Sequence, residues 1–506
     1  MSLKTQALKN VSSTWFGLGA SLLVGFFLSP YILHKLGDDA FGLWILVFSF
    51  TGFYGLFDLG IRSSIIKYVA QYYAANDQDG LARVICTSLS GYGCVALVLL
   101  SATLVSSFYV ERLFHVSGGT LHVARVLFLM VGSAIALGFP LGVFGGVLQG
   151  LQKFTWVNLT QVATTLLRAM LIVIALSHGR GLLAVALITV ALPLLASVFY
   201  IGVVHRFIAI RLERRFVSRS SFRQLMGYGS ITFIIIVAEQ LRFQTDAVII
   251  GAFLSASAIT FFSIGAKLCD YAVAPVQNMA DIFLPMSSDA EASNNHHRLR
   301  QIFIEGNRFC AFTMFPICVA MVILGKSLIH VWVGPKYVSS YLVLVLLIVP
   351  KSLYRAQAAS TRILFGIHRH RALAVVAIVE GLINVGLSIA LVRPLGIIGD
   401  TLGTTIPLLA TSLLFLPLYM CRLLKVPLRT FLSGAYLLPL ALCAPLATAL
   451  LLMQHWFLAR TYPALVAQVV VGGLVYGVGL LWFFVTQEPM GIRLRREFTT
   501  RLSRAF

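Results

Sequence analysis

The chain has 506 residues, of which 58% are hydrophobic and 11% charged, with a mean hydropathy of +0.89 and a formal net charge of +21. Soluble domains carry about a quarter charged residues. This composition therefore excludes a soluble multidomain enzyme, a disordered tail protein and a disulfide scaffold, and implies a multi-pass membrane protein whose excess Lys and Arg serve topology and anionic lipid rather than nucleic acid.

A membrane-crossing helix needs about 20 largely apolar residues, and cutting the chain at charged clusters and Gly/Pro breaks gives fourteen such segments. The first, 11–33, follows a short basic stretch with Lys4 and Lys9; it is longer than a signal-peptide core and is read as a span. Segments 41–61, 84–110, 123–147, 156–176 and 182–204 complete a first lobe, 1–204. A basic connection, 205–224, carries Arg206, Arg211, Arg214, Arg215, Arg219 and Arg223 and reads as a hinge. A second lobe, 225–424, holds 225–254, 259–284, 302–324, 341–365, 372–392 and 397–420. Residues 425–506 add two more helices, 431–453 and 462–485, and a basic tail.

The remaining connections average about 15 residues, which leaves no room for a soluble domain. With the N-terminus inside, most Lys and Arg fall in inside connections, so both termini are expected to be cytoplasmic. The fold class expected is all-α integral membrane: two six-helix bundles and two extra C-terminal helices.

An internal echo supports duplication. Leu148-Gln149-Gly150-Leu151-Gln152-Lys153 is matched 216 residues on by Leu364-Phe365-Gly366-Ile367-His368-Arg369, and Ala40-Phe41-Gly42-Leu43-Trp44 more weakly by Ala258-Ile259-Thr260-Phe261-Phe262. Both echoes recur in spans of the same orientation, which predicts a parallel repeat with its axis along the membrane normal.

Ionisable groups at membrane depth cost roughly 2.5–3.5 kcal/mol each and need a partner or a wet cavity. Asp58 and Arg62 close the second span four residues apart, and Arg168 stands alone in the fifth. Glu239, Arg242 and Asp246 fall at i, i+3 and i+7 in the seventh, and Lys267 and Asp270 three apart in the eighth. Lys351, Arg355 and Arg362 make one stripe in the tenth, after Pro350, and Glu380 lies with Asn384 in the eleventh. Arg62, Arg168, Arg242, Lys267, Lys351 and Arg355 are candidates to bind an anionic head group through forked or point-charge donors. Asp58, Glu239, Asp246, Asp270 and Glu380 are candidates for coupling or gating. The same residues also suit helix-locking ion pairs that touch no cargo.

Gly17, Gly19, Gly25, Gly52 and Gly55 suit close helix packing. The seven cysteines are scattered without a C-x-x-C pair, and His296-His297 reads as a solvated loop, so no metal site is expected. There is no Walker A sequence, G-x-S-x-G elbow or H-E-x-x-H, so no catalytic residue and no cofactor is expected.

The stretch Leu36-Gly37-Asp38-Asp39-Ala40-Phe41-Gly42-Leu43-Trp44, then Leu56-Phe57-Asp58-Leu59-Gly60, resembles the LG-x-x-x-(F/Y)-G-x-W … L-x-D-L-G pattern of polysaccharide exporters and O-antigen-type lipid-linked oligosaccharide flippases. These belong to the multidrug/oligosaccharidyl-lipid/polysaccharide exporter superfamily. The segment from Leu148 to Phe154 resembles that family's L-x-G-x-x-(K/R)-(F/Y) turn, and Asp246 matches the acidic residue of its seventh helix. Thr260 departs from the glycine often found at the start of the eighth.

The resemblance implies alternating access in a bacterial inner membrane, with an undecaprenyl-diphosphate-linked oligosaccharide as cargo. Membrane lipid, a glycan polymerase and glycosyltransferases are its implied partners. A cation-coupled drug antiporter of the same superfamily is the alternative; it would have fewer cavity arginines and a more acidic site. A membrane glycan polymerase or ligase is a further one, and the short outside connections argue against it.

Overall fold

The computed structural model describes residues 3–114, 119–208, 212–369 and 371–486, and every regular element among them is helical. The basic tail, 487–506, and Arg211 lie outside the described residues. Eleven helices are long and apolar enough to cross a membrane, or twelve if a pair bent by 43° counts as one span. The chain divides into two compact units, Met1–Thr260 and Phe261–Phe506.

The first unit contains α1 (Leu3–Leu36), α2 (Asp38–Gly52), α3 (Ile61–Ala74), α4 (Gln78–Phe114), α5 (Gly119–Gly150), α6 (Phe154–Ser177), α7 (Leu182–His205), α8 (Arg219–Phe243) and α9 (Asp246–Phe253). Helix α2 runs on as a 3-10 turn, Phe53–Asp58, and stops because Leu59 and Gly60 both take left-handed conformations, φ 51° and 71°. The sequence reading leaves 62–83 as a connection, whereas the structure forms α3 there. Ile61, Ile65, Tyr68 and Val69 recur at helical spacing and are buried against α4, α5 and α7, while Arg62 and Lys67 stay exposed. Ser64 ties this helix to α8 by donating to the Leu225 carbonyl at 2.7 Å.

Beyond α9 the chain enters α10 (Ala256–Ala280), whose first turn packs on α2. A Cβ on Gly42 would lie 1.8 Å from the Ala256 carbonyl oxygen, and Thr260 Oγ1 donates to the Asp38 carbonyl at 2.7 Å. The motif glycine is thus required by backbone approach, and the threonine that departs from the family pattern fills a hydrogen-bonding role.

The second unit continues with α11 (Phe283–Ala292), α12 (His296–Trp332), α13 (Ser340–Ala356), α14 (Ala358–Gly366), α15 (Arg371–Ala410), α16 (Leu416–Leu424), α17 (Leu428–Leu432), α18 (Leu438–Trp456) and α19 (Tyr462–Thr486). Helix α15 is a hairpin. It reverses at Gly396 (φ 59°, ψ −139°), so that Asn384 Nδ2 donates to Thr404 Oγ1 and Ser388 Oγ to the Asp400 carbonyl, both at 3.1 Å. Gly399 and Gly403, a G-x-x-x-G pair, let the arms touch, since Cβ atoms there would meet Leu391 O at 2.0 Å and Ser388 Oγ at 2.1 Å.

Turn geometry repeats between the units. Gln152 (φ 57°) and His368 (φ 58°) are both left-handed and close the same Schellman-type pattern, with Lys153 N bonded to Leu148 O and Arg369 N to Leu364 O. A second matched pair lies at Asn76 (φ 52°) and Asn294 (φ 50°). Each precedes an N-cap: Asp77 Oδ1 accepts from Gly80 N, and Asn295 Oδ1 from Arg298 N. The helices that follow, α4 and α12, are both 37 residues long.

Prolines shape the second unit. Proline lacks an N–H and displaces the carbonyl four residues earlier. In hydrocarbon that carbonyl needs another donor. Leu346 O, freed by Pro350, accepts from Thr405 Oγ1, and Phe312 O, freed by Pro316, accepts from Tyr476 OH, both at 2.8 Å. Two π turns, Thr411–Phe415 and Ser433–Leu437, each run into a Leu-Pro step, Leu416-Pro417 and Leu438-Pro439. The Ser412 carbonyl in the first accepts from Gln357 Nε2 at 2.6 Å, from the break between α13 and α14. The C-terminal pair α18 and α19 is held to α12 by Tyr476 and by the chain Ser327–Gln454–Gln468.

Thr405→Val should destabilise the purified protein by about 1–3 kcal/mol, because it leaves Leu346 O buried without a donor. In the double variant with Pro350→Ala that carbonyl regains its own helical N–H, and most of the loss should be recovered in thermal unfolding.

Candidate functional site

The first unit holds a cavity of about 310 Å³ lined by Gly55, Asp58, Arg62, Tyr92, Ile135, Gly138, Phe139, Gly142 and Ile236. Its room comes from missing side chains: Cβ atoms on Gly55 and Gly142 would meet nothing within 4 Å, and one on Gly138 only Leu194 at 4.0 Å. Asp58 ends the 3-10 turn, Arg62 opens α3 and Tyr92 comes from α4. The Asp58 carboxylate accepts a hydrogen bond from the Tyr92 hydroxyl and another from the backbone N–H of Arg62. The Arg62 charge also acts on Asp58, but its guanidinium makes no hydrogen bond or ion pair among the described residues and stays exposed at the cavity wall. Phe139 packs on the Tyr92 ring at 5.5 Å.

Arg168 is half-buried in α6 and has no hydrogen-bond or ion-pair partner among the described residues. It continues a polar row with Thr160 and Thr164 at i, i+4 and i+8. Thr160 bonds Tyr200, which in turn feels the charge of Arg62. Arg168 thus lies about 12 Å along α6 from the Arg62 neighbourhood.

Glu239, Arg242 and Asp246 do not share a continuous face. The helix breaks at Gln244 and Thr245 between α8 and α9, leaving Glu239 exposed while Arg242 and Asp246 are buried. Asp246 opens α9, where a carboxylate complements the helix dipole.

In the second unit the charges are largely paired. Lys351 Nζ donates to Asp270 Oδ1 at 2.7 Å, tying α13 to α10, and the Asp270 charge also acts on Lys267 of its own helix. Arg362 pairs with Asp281 at 2.6 Å. The bend after Ala356 splits the expected stripe: Lys351 and Arg355 end α13, and Arg362 belongs to α14. Lys267 and Arg355 are half-buried. Glu380 is buried and accepts from Thr411 Oγ1 at 2.6 Å, closing the α15 hairpin.

Tyr92, Gly138 and Gly142 are missing from the sequence reading, and Gly55, read there as a close-packing glycine, faces open space instead. The step Gly91-Tyr92-Gly93 within an apolar span was the available signal for Tyr92. Among the described residues no cluster of three His, Cys, Asp or Glu is placed to hold a metal.

The family described as "Polysaccharide biosynthesis protein" matches residues 7–290. The uncharacterized membrane protein EpsK of Bacillus subtilis is 20% identical over 505 residues, 97% of this chain and 98% of that protein. The putative O-antigen transporter of Shigella flexneri is 20% identical over 352 residues, 67% of this chain and 80% of its own. The lipid II flippase MurJ in an inward closed conformation shares the fold at a TM-score of 0.73 and 16% identity, over 95% of this chain and 99% of that one.

Tyr92→Phe deletes one of the two donors to Asp58 and should cost about 1–3 kcal/mol, read as a lowered midpoint of thermal unfolding. An unchanged midpoint would show that the Asp58 carboxylate does not depend on the phenol.

Proposed function

The chain belongs to the polysaccharide biosynthesis protein family, and from that membership we propose that it flips an undecaprenyl-diphosphate-linked oligosaccharide between the leaflets of a bacterial inner membrane. Movement runs from the cytoplasmic to the periplasmic leaflet by alternating access, and no covalent bond changes. The names of its relatives, an O-antigen transporter and a lipid II flippase, support cargo of this class. A glycan polymerase and glycosyltransferases would act after and before it.

Fourteen crossings accommodate the helices if the α15 hairpin counts twice, α13 with α14 once and α8 with α9 once. An even number of crossings puts both termini on one side, and the distribution of Lys and Arg supports the cytoplasmic one.

The observation that carries the reading is the glycine-lined cavity with Arg62 on its wall, together with Arg168 about 12 Å along α6 from that neighbourhood and without an ion-pair partner among the described residues. A cation kept at membrane depth without a counter-ion costs free energy in the empty protein. A diphosphate supplies that counter-ion, and arginine matches it with paired N–H donors. Arg242 is a further candidate within the first unit and Lys267 and Arg355 within the second, where Lys351 is already tied to Asp270. Asp58, held by Tyr92 beside Arg62, is the candidate for coupling among the acidic residues Glu239, Asp246, Asp270 and Glu380.

In proteoliposomes carrying a fluorescent lipid-linked oligosaccharide, Arg62→Ala and Arg168→Ala should each slow dithionite-accessible flipping about tenfold or more, the worth of one charge-assisted contact. Wild-type rates in both variants would overturn the anion site. Gly142→Leu should leave folding intact, since its side chain enters open space and helix propensity rises by about 0.8–1 kcal/mol. The same change should abolish flipping by filling the cavity.

A further inference from the structure

A second cavity, about 510 Å³, lies wholly within the second unit and has no part in the function proposed above. It is a groove between the two arms of the α15 hairpin, and its size falls in the range of about 300–1,000 Å³ used by small-molecule sites. Val379, Ile383, Leu414 and Leu418 line it and are exposed. The Glu380–Thr411 hydrogen bond lies along it, and the stacked rings of Phe415 and Tyr419, 5.4 Å apart, form part of its wall. The π turn Thr411–Phe415 shifts the second arm out of helical register there, as the Leu416-Pro417 step demands.

Flanking side chains that line no cavity, Val375, Leu382 and Leu413, are apolar and exposed too. Such a surface needs hydrocarbon around it, so the groove opens onto lipid. One end is different in kind. Arg422 lines it, is exposed, and has no ion-pair partner among the described residues. The hairpin register set by the bonds 380–411, 384–404 and 388–400 brings Arg371 to the same end, and Lys425 and Arg429 follow in sequence. From Pro407 to Arg422 the groove runs about 22 Å, enough for the ~15 Å of hydrocarbon in one leaflet.

We propose that this groove holds an acyl chain of an anionic glycerophospholipid whose phosphate sits on Arg422. A cationic mouth on an apolar slot of leaflet length selects an amphiphile with a negative head and a single-leaflet tail. The bilayer itself supplies that molecule at this face. Lodged against the π turn, the chain braces the two arms where Glu380 and Thr411 join them.

The test is native mass spectrometry of the full-length protein, delipidated and then given equal phosphatidylglycerol and phosphatidylcholine. The wild type should retain phosphatidylglycerol over phosphatidylcholine about tenfold, equivalent to one strong contact. Arg422→Gln, at an exposed position, should remove the preference, and Ala410→Phe, which fills the groove, should remove retention of both lipids. Equal retention of the two lipids by the wild type would overturn the proposal. So would wild-type retention by Ala410→Phe, which reduces the binding to charge at the rim. If an isoprenoid phosphate in equal amount displaces the phosphatidylglycerol, the occupant is a polyisoprenoid tail and the proposal fails. Retention does not depend on flipping, so the outcome is separate from that of the transport assay.

Discussion

In hydrocarbon every backbone N–H and C=O must find its partner within the protein, and the second unit is organised around that requirement. Pro316 and Pro350 each free a carbonyl, and the element that supplies the missing donor becomes fixed in place. Tyr476 thereby docks α19 onto α12, Thr405 docks the second arm of α15 onto α13, and Gln357 joins the break of one bent pair to the π turn of another element. Irregular backbone is therefore concentrated where side chains from neighbouring helices reach it. The same irregularity opens the groove beside Glu380.

Charge obeys a related economy. Carboxylates at Asp270 and Asp281 neutralise Lys351 and Arg362, and Glu380 is engaged by a threonine hydroxyl. Several charges that resemble a binding stripe in one dimension are helix ties in three. What stands out afterwards is the first unit, where Asp58 takes its hydrogen bonds from a phenol and a backbone amide while the Arg62 charge lies close by. That choice leaves Arg62 facing an open space made by glycines.

Much of the architecture was legible because hydropathy and turns act locally. Span positions, the echo at Leu148 and Leu364, and the two C-terminal helices all rest on short stretches of chain, and the echo proves to be a pair of equivalent left-handed turns at Gln152 and His368. Helices α3 and α11 were not read, because short amphipathic segments with exposed charged residues, basic in α3 and acidic in α11, look like connections when only apolar runs are counted. The shared face of Glu239, Arg242 and Asp246 assumed an unbroken helix, and neither Gln244 nor Thr245 is a strong breaker. The cavity was invisible for another reason: its walls are glycines of helices distant in sequence, and emptiness has no composition.

The two 37-residue helices have a consequence for the membrane in which the protein sits. At 1.5 Å per residue each is about 55 Å long, far beyond the ~30 Å hydrocarbon core, so their ends clear any ordinary bilayer even when tilted. Helices α6 and α7, at 24 residues, are about 36 Å and match the core closely. Hydrophobic mismatch in a thinner or thicker bilayer is therefore borne by α6 and α7 and not by the long rods. Arg168 rides on α6, so bilayer thickness acts directly on the helix that carries this cation.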